Sequence, residues 1–171
     1  MRLHPKRPIA LGLDFGRVIM SPPTGATGED SRFLVLPDDE ALAIPPPPDA
    51  FAVIAALVRH FSGRVWIVSK AGPRIQALTR RWLAYHRFHE ITGMREDAVR
   101  FCRERRDKRL HAEKLGLTHF VDDRVDVLAV LRSVPNRYLF GPHTNVPAWA
   151  RPVPDWAAVR RLLLDAETVD S

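Results

Sequence analysis

The sequence predicts an α/β protein, a mostly parallel sheet with helices on both faces, giving three layers in a Rossmann-like arrangement. Strand-length apolar runs alternate with helix-length periodic segments, which is the pattern of βαβ units. The runs are apolar throughout rather than alternating, as expected of strands buried on both faces. Three of them end in polar groups, and the carboxyl ends of strands are where an open α/β sheet binds ligands. A length of 171 residues suits one domain with a single substantial core, over 1–171. With 46% apolar and 27% charged residues, the chain is excluded from the low-hydrophobicity class of disordered proteins.

The first run, "PIALGLDFG" at 8–16, is bounded by proline and a polar turn and reads as a buried strand ending at Asp14. Residues 20–48 are rich in turn formers and close on Pro45 to Pro48. They read as a loop or small β-hairpin excursion ending in polyproline-like chain, too short for a domain. "DAFAVIAALVRHF" has helical periodicity, with Asp49 as N-cap and Gly63 as stop signal. "RVWIVS" is a second buried strand. "PRIQALTRRWLAYHR" is an amphipathic helix with Pro73 in its first turn and Ile75, Leu78, Trp82 and Leu83 on one side. "EDAVRFCRERRDKRLHAEKLG" reads as helical with a break near Asp107. "THFVDD" is a third strand, "VDVLAVLRSV" a helix, "RYLFG" a fourth strand and "DWAAVRRLLLDA" a closing helix.

Composition limits the function classes. The N-terminal stretch meets Asp14 too soon for a signal peptide's apolar region, and no apolar run approaches membrane-spanning length. Cys102 is the single cysteine, which excludes an internal disulfide and a thiolate-rich zinc site; a cytoplasmic location and no membrane partner are expected. The net charge of +6 and pI near 10.2 attract polyanions, so phosphorylated substrates and nucleic acid both stay open. In "RRWLAYHR" and "RFCRERRDKR" the basic residues read as a solvated helix face in preference to a dedicated nucleic-acid surface. His86 and His89 read as surface histidines for want of a third ligand. Trp66, Trp82, Trp149 and Trp156 read as packing residues rather than a base-stacking platform.

The chemistry sits at three strand ends: Asp14 after the first, Ser69 and Lys70 after the second, Asp122 with Asp123 after the third. Carboxylates gathered on one rim repel one another, so their burial needs a cation, and hard oxygen donors favour Mg²⁺. Such a cation also binds phosphate oxygens, leaving an oxygen of Asp14 to attack phosphorus in line. A hydroxyl and an ammonium nearby neutralise charge on the transferring group. The implied chemistry is phosphoryl transfer. The plainer readings are a turn closed by Asp14 with Gly16, a helix N-cap at Ser69, a solvated Lys108 in its charge-mixed run, and Asp126 in the first turn of the next helix. The "DFG" of residues 14–16 is not the protein-kinase metal loop, because nothing before Asp14 supplies the parts that must precede it.

These residues resemble the haloacid dehalogenase-like (HAD) hydrolases, most of which are Mg²⁺-dependent phosphatases acting through an aspartyl-phosphate. "IALGLDFGRVI" looks like their first motif, an apolar strand followed by Asp-x-Asp-x-Thr/Val, and "VWIVSKAG" is similar to the second. "DKRLHAEKLGLTHFVDDRVDVL" resembles the third and fourth together. The four occur in order over about residues 8 to 140. The resemblance implies a HAD fold with no cap or a minimal one, Asp14 as nucleophile and Mg²⁺ ligand, and the Gly16 backbone carbonyl as a further ligand. It implies Ser69 as a hydrogen-bond donor to the phosphoryl group, with Lys70 beside it, and Lys108 as the charge-neutralising lysine ahead of Lys70 and Lys114. It implies Asp122 as a metal-holding carboxylate, helped by Asp123 or Asp126. A phosphorylated substrate, including a macromolecular one, is the expected partner.

Gly16 departs from the family pattern. Phosphatases of the superfamily usually carry there a second aspartate that protonates the leaving group and later activates water. General acid–base work of this kind contributes about 10²- to 10⁴-fold. Arg17, the next residue, stays charged and is a poor proton donor. The resemblance therefore implies a phosphatase-like hydrolase, a HAD enzyme of another reaction type, or a binding or regulatory module of the same fold.

Overall fold

The computed structural model describes residues 7–20 and 35–165. Its centre is a six-stranded sheet of β1 (Leu11–Leu13), β2 (Val65–Lys70), β3 (Val99–Cys102), β4 (His119–Asp122), β5 (Asn136–Phe140) and β6 (Arg151–Val153). The strand order is β3-β2-β1-β4-β5-β6 and every pairing is parallel. The order reverses between β1 and β4, which puts a crevice at the carboxyl ends of those two strands.

Alternate residues of the strands feed two cores. Leu11, Leu13, Val65, Ile67 and Val121 face one layer, formed with α2 (Ala50–His60), α3 (Pro73–Tyr85), α4 (Phe88–Thr92) and α7 (Trp156–Arg160). Val68, Phe120 and Leu139 face the other, formed with α5 (Lys108–Leu115) and α6 (Val125–Val130). Gly12 points toward this second layer, where a Cβ would lie 2.5 Å from the Phe120 ring and 2.7 Å from Leu117. Only glycine lets β1 sit flat beneath Phe120. No helix among the described residues is long and apolar enough to cross a membrane.

The structure differs from the expectations of the sequence at four places: β3, β6, the described end of 20–48 and the conformation of Asp49. The segment read as one broken helix from Glu96 contains β3, which pairs with β2 from Ile67↔Val99 to Lys70↔Cys102. Pairing of Val99 and Cys102 at the sheet edge, where both are buried, overrides the helix-like spacing of the charges that follow. β6 was not expected at all: it is three residues long and contains Pro152, tolerable because β6 is an edge strand. Within 20–48, residues 21–34, and with them the body of the expected loop or hairpin, lie outside the described residues. The described end of that segment holds α1 (Asp38–Ala43), with three acidic residues in its first turn. Asp49 stands at the start of α2 but in the left-handed region at φ 66°, and its side chain makes no cap hydrogen bond.

Candidate active site

The backbone after β1 prepares the site. Asp14 N donates to the Val121 carbonyl of β4 at 3.0 Å, extending the β1–β4 pairing to the residue that carries the carboxylate. The chain then turns sharply, with the Phe15 carbonyl accepting from the amides of Val18, Ile19 and Met20. Val18, Ile19 and Met20 are buried, and the Trp156 indole donates to the Val18 carbonyl at 2.8 Å, anchoring the turn from the far end of the chain. Arg17 sits within the turn at φ 62°, a region non-glycine residues seldom occupy.

Lys108 joins the strand ends. Its ammonium donates to Asp14 Oδ1 and to Asp122 Oδ2, both at 2.8 Å, and all three side chains are buried. Burial disfavours the charge of Lys108, but the carboxylates of Asp14 and Asp122 and their hydrogen bonds outweigh it, and its pKa is raised. Asp122 is pushed the other way for a carboxylate, up to about 6, by full burial and by repulsion from Asp14, against the pull of Lys108 and of the Arg124 amide on Oδ1. Among the described residues the Asp14 carboxylate accepts a hydrogen bond on Oδ1 alone.

Asp14, Asp122 and Asp123 each bring an oxygen within 4.8 Å of the others, the one such acidic group among the described residues. Three hard oxygen donors suit Mg²⁺. Set against the single ammonium of Lys108, three carboxylates leave two negative charges, the charge of one divalent cation. Asp126 is not in the group: exposed in the first turn of α6, it takes both hydrogen bonds of the Arg124 guanidinium, at 3.0 and 3.2 Å.

A cleft of about 140 Å³ opens on Asp14, lined also by Gly16, Ser69, Lys70, Thr79 and Lys108 among others; Asp122 and Asp123 are not part of its lining. Ser69 is buried at the end of β2 and makes no side-chain hydrogen bond to the described residues. The N-cap reading of Ser69 does not hold, because α3 starts at Pro73 with Gly72 as its cap residue. Lys70 is exposed at the rim. Lys114 lies in the last turn of α5 and does not line the cleft. Gly16 is not among the glycines with positive φ. Cys102, beside the Ser69 carbonyl at 3.8 Å, is buried and its thiol pushed up by burial, which makes it a poor nucleophile.

The other residues singled out from the sequence lie elsewhere. His86 and His89 do not share a helix: His86 follows α3 and bonds the Leu42 carbonyl, and His89 lies in α4 and bonds that of Met94. Trp82 and Trp156 are core residues; Trp66 is half-buried beneath Arg64, and Trp149 stacks against Arg137. Two polar side chains of the cleft, Thr79 and Arg105, are not singled out by the sequence. Thr79 interrupts the apolar side of α3 one turn after Ile75, a signal available to periodicity. Arg105 lies in a single 3₁₀ turn, Arg105–Asp107, and its place depends on β3, which sequence reading missed.

No protein-family model matches the sequence, and no curated protein matches it. Solved structures do match the fold. A protein designated a haloacid dehalogenase-like hydrolase, from Burkholderia xenovorans LB400, superposes with a TM-score of 0.56 at 13% identity, over 95% of this chain and 99% of that one. A HAD family hydrolase from Deinococcus radiodurans R1, with bound phosphate and sodium, superposes with a TM-score of 0.56 at 16% identity, over 95% and 98%. These superpositions, at a TM-score of 0.56 over nearly the whole of each chain, show that this chain shares the fold of the two hydrolases.

Proposed function

We propose that the protein is a Mg²⁺-dependent, phosphatase-like hydrolase that acts through an aspartyl-phosphate on Asp14. The observation that carries this reading is the buried Lys108 bridge between Asp14 and Asp122 at the sheet's reversal point, with Asp123 close by. A buried ion cluster is weak evidence for stability. A cluster of this composition at a ligand-binding edge is better explained by the anion it serves. The phosphate and sodium bound by the Deinococcus neighbour are groups of the kind proposed here.

In this reading Asp14 Oδ2 attacks phosphorus, and the bond to the ester oxygen breaks as the new bond to the carboxylate forms. Lys108 holds Asp14 in place through Oδ1 and balances charge on the phosphoryl oxygens, to which the Ser69 hydroxyl donates. Lys70 adds positive charge from the rim. Asp14, Asp122, Asp123 and the Gly16 carbonyl would hold Mg²⁺, which supplies charge neutralisation and orients the phosphate. Gly16 gives the departing oxygen no proton, so that oxygen takes one from water, and water then releases phosphate from Asp14 without a base at residue 16. We read 1–171 as one domain with a minimal cap, open enough for a macromolecular phosphate ester.

The test is hydrolysis of p-nitrophenyl phosphate, whose leaving group needs little protonation. Turnover should require Mg²⁺ and vanish in Asp14→Asn, since an amide is not a competent nucleophile. Unchanged turnover in that variant contradicts the reading. Gly16 favours a second reading, a binding or regulatory module that keeps the metal site; Mg²⁺ binding with no turnover on a broad phosphate panel would support it.

A further inference from the structure

The cleft has two tiers of polar side chains. Asp14, Ser69 and Lys108 are buried at its floor, at 8, 7 and 3% exposure. Lys70 and Arg105 are exposed at its mouth. The floor suffices for a phosphoryl group: nucleophile, hydroxyl and ammonium are all there. Among the described residues neither Lys70 nor Arg105 forms an ion pair or a side-chain hydrogen bond, although Glu104 and Asp107 flank Arg105 in sequence.

Backbone contacts hold these two cations on one side of the cleft. Lys70 ends β2 opposite Cys102 of β3, and the Ala71 amide donates to the Cys102 carbonyl at 3.0 Å. Three residues after Cys102 comes Arg105, in the turn that leads directly into Lys108, and Lys108 is fixed by its two carboxylates. Arg105 is thus tethered a short way from the floor on either side of its turn.

We propose that the mouth is a second anion site, and that the substrate of this cleft is a phosphate monoester carrying a second anionic group a short distance from the transferred phosphate. This rests on the phosphatase-like reading. Arg105 supplies a planar fork suited to bidentate contact with phosphate or carboxylate, and Lys70 a point charge beside it. The second group does not react; it orients the ester so that its phosphorus meets Asp14.

The test compares propyl phosphate with propane-1,3-diyl bisphosphate and 3-phosphonooxypropionate as substrates. In parallel, the corresponding non-hydrolysable propylphosphonate and propane-1,3-diyl bisphosphonate are titrated calorimetrically without divalent cation. A second anion should raise kcat/KM and affinity by about tenfold or more, the scale of one charge-assisted contact. Arg105→Gln, and independently Lys70→Gln, should reduce that preference, with circular dichroism confirming the fold. The carboxylate and bisphosphate arms identify which anion is used. Equal affinity for mono- and bisphosphonate, or a preference untouched in both variants, would overturn the proposal. So would tight binding of a 5′-phosphorylated dinucleotide with no gain for the bisphosphonate, which would assign the mouth to nucleic acid. If no phosphate ester is hydrolysed, the enzymatic reading fails while the calorimetric comparison still judges the anion site.

Discussion

Asp38 on the helical surface and Asp14 in the cleft each hold cationic side chains at hydrogen-bond distance, yet the two contacts differ in kind. Arg81 meets Asp38 at 2.6 Å with both side chains about half exposed, and Arg74 reaches the same carboxylate at 3.5 Å. Such pairs are worth about 0–1 kcal/mol, because water solvates the separated ions nearly as well. Lys108 meets Asp14 and Asp122 at side-chain exposures of 3, 12 and 0%. There the charges have lost their water, and Lys108 and the two carboxylates depend on one another. The surface pair could be absent without consequence to the fold; the buried cluster persists against its desolvation because something else selects it.

The contrast is sharpest on removal of one partner. Lys108→Met leaves two largely buried carboxylates facing each other and should cost about 3–5 kcal/mol, the usual result of breaking a buried ion pair; urea unfolding measures it. Hydrolysis of p-nitrophenyl phosphate should be lost in the same variant. A cost below about 1 kcal/mol would place Lys108 with the surface pairs.

Gly16→Asp tests the functional side of the cluster. Residue 16 is not in the left-handed region, so aspartate brings no strain of that kind. If the missing acid limits turnover, its restoration should raise the phosphatase rate by up to about 100-fold, more for alkyl than for aryl esters. A variant that stays folded, binds Mg²⁺ and shows no gain would favour the binding module. Least is expected of Arg81→Ala, which should change stability by less than about 0.5 kcal/mol in the same unfolding measurement.

The strand ends were the legible part of the sequence. Asp14 and Asp122 each close an apolar run, and a run buried on both faces is visible without tertiary information. Lys108 was distinguishable from Lys114 only through the order of the resembling motifs, since each lies in the same charged helix. Asp123 and Asp126 were inseparable by spacing; the pairing of the Arg124 guanidinium with Asp126, two residues on, is a local side-chain geometry that only the structure displays. β3 was hidden because its four residues do not alternate in burial and a long basic stretch follows them. Missing β3 also hid Arg105, whose position is set by where that strand ends. β6 was illegible for a simpler reason: three residues with a central proline carry no periodicity.

We propose that Asp14 forms the bond to phosphorus, in a Mg²⁺ site that it shares with Asp122. This is tested most directly by a crystal structure grown with Mg²⁺ and BeF₃⁻, a mimic of the phosphoryl group on a carboxylate. The account predicts beryllium bonded to an Asp14 oxygen, with the cation between Asp14 and Asp122. A cation held there with the mimic bound away from Asp14, or neither ligand at the β1–β4 crevice, would contradict it.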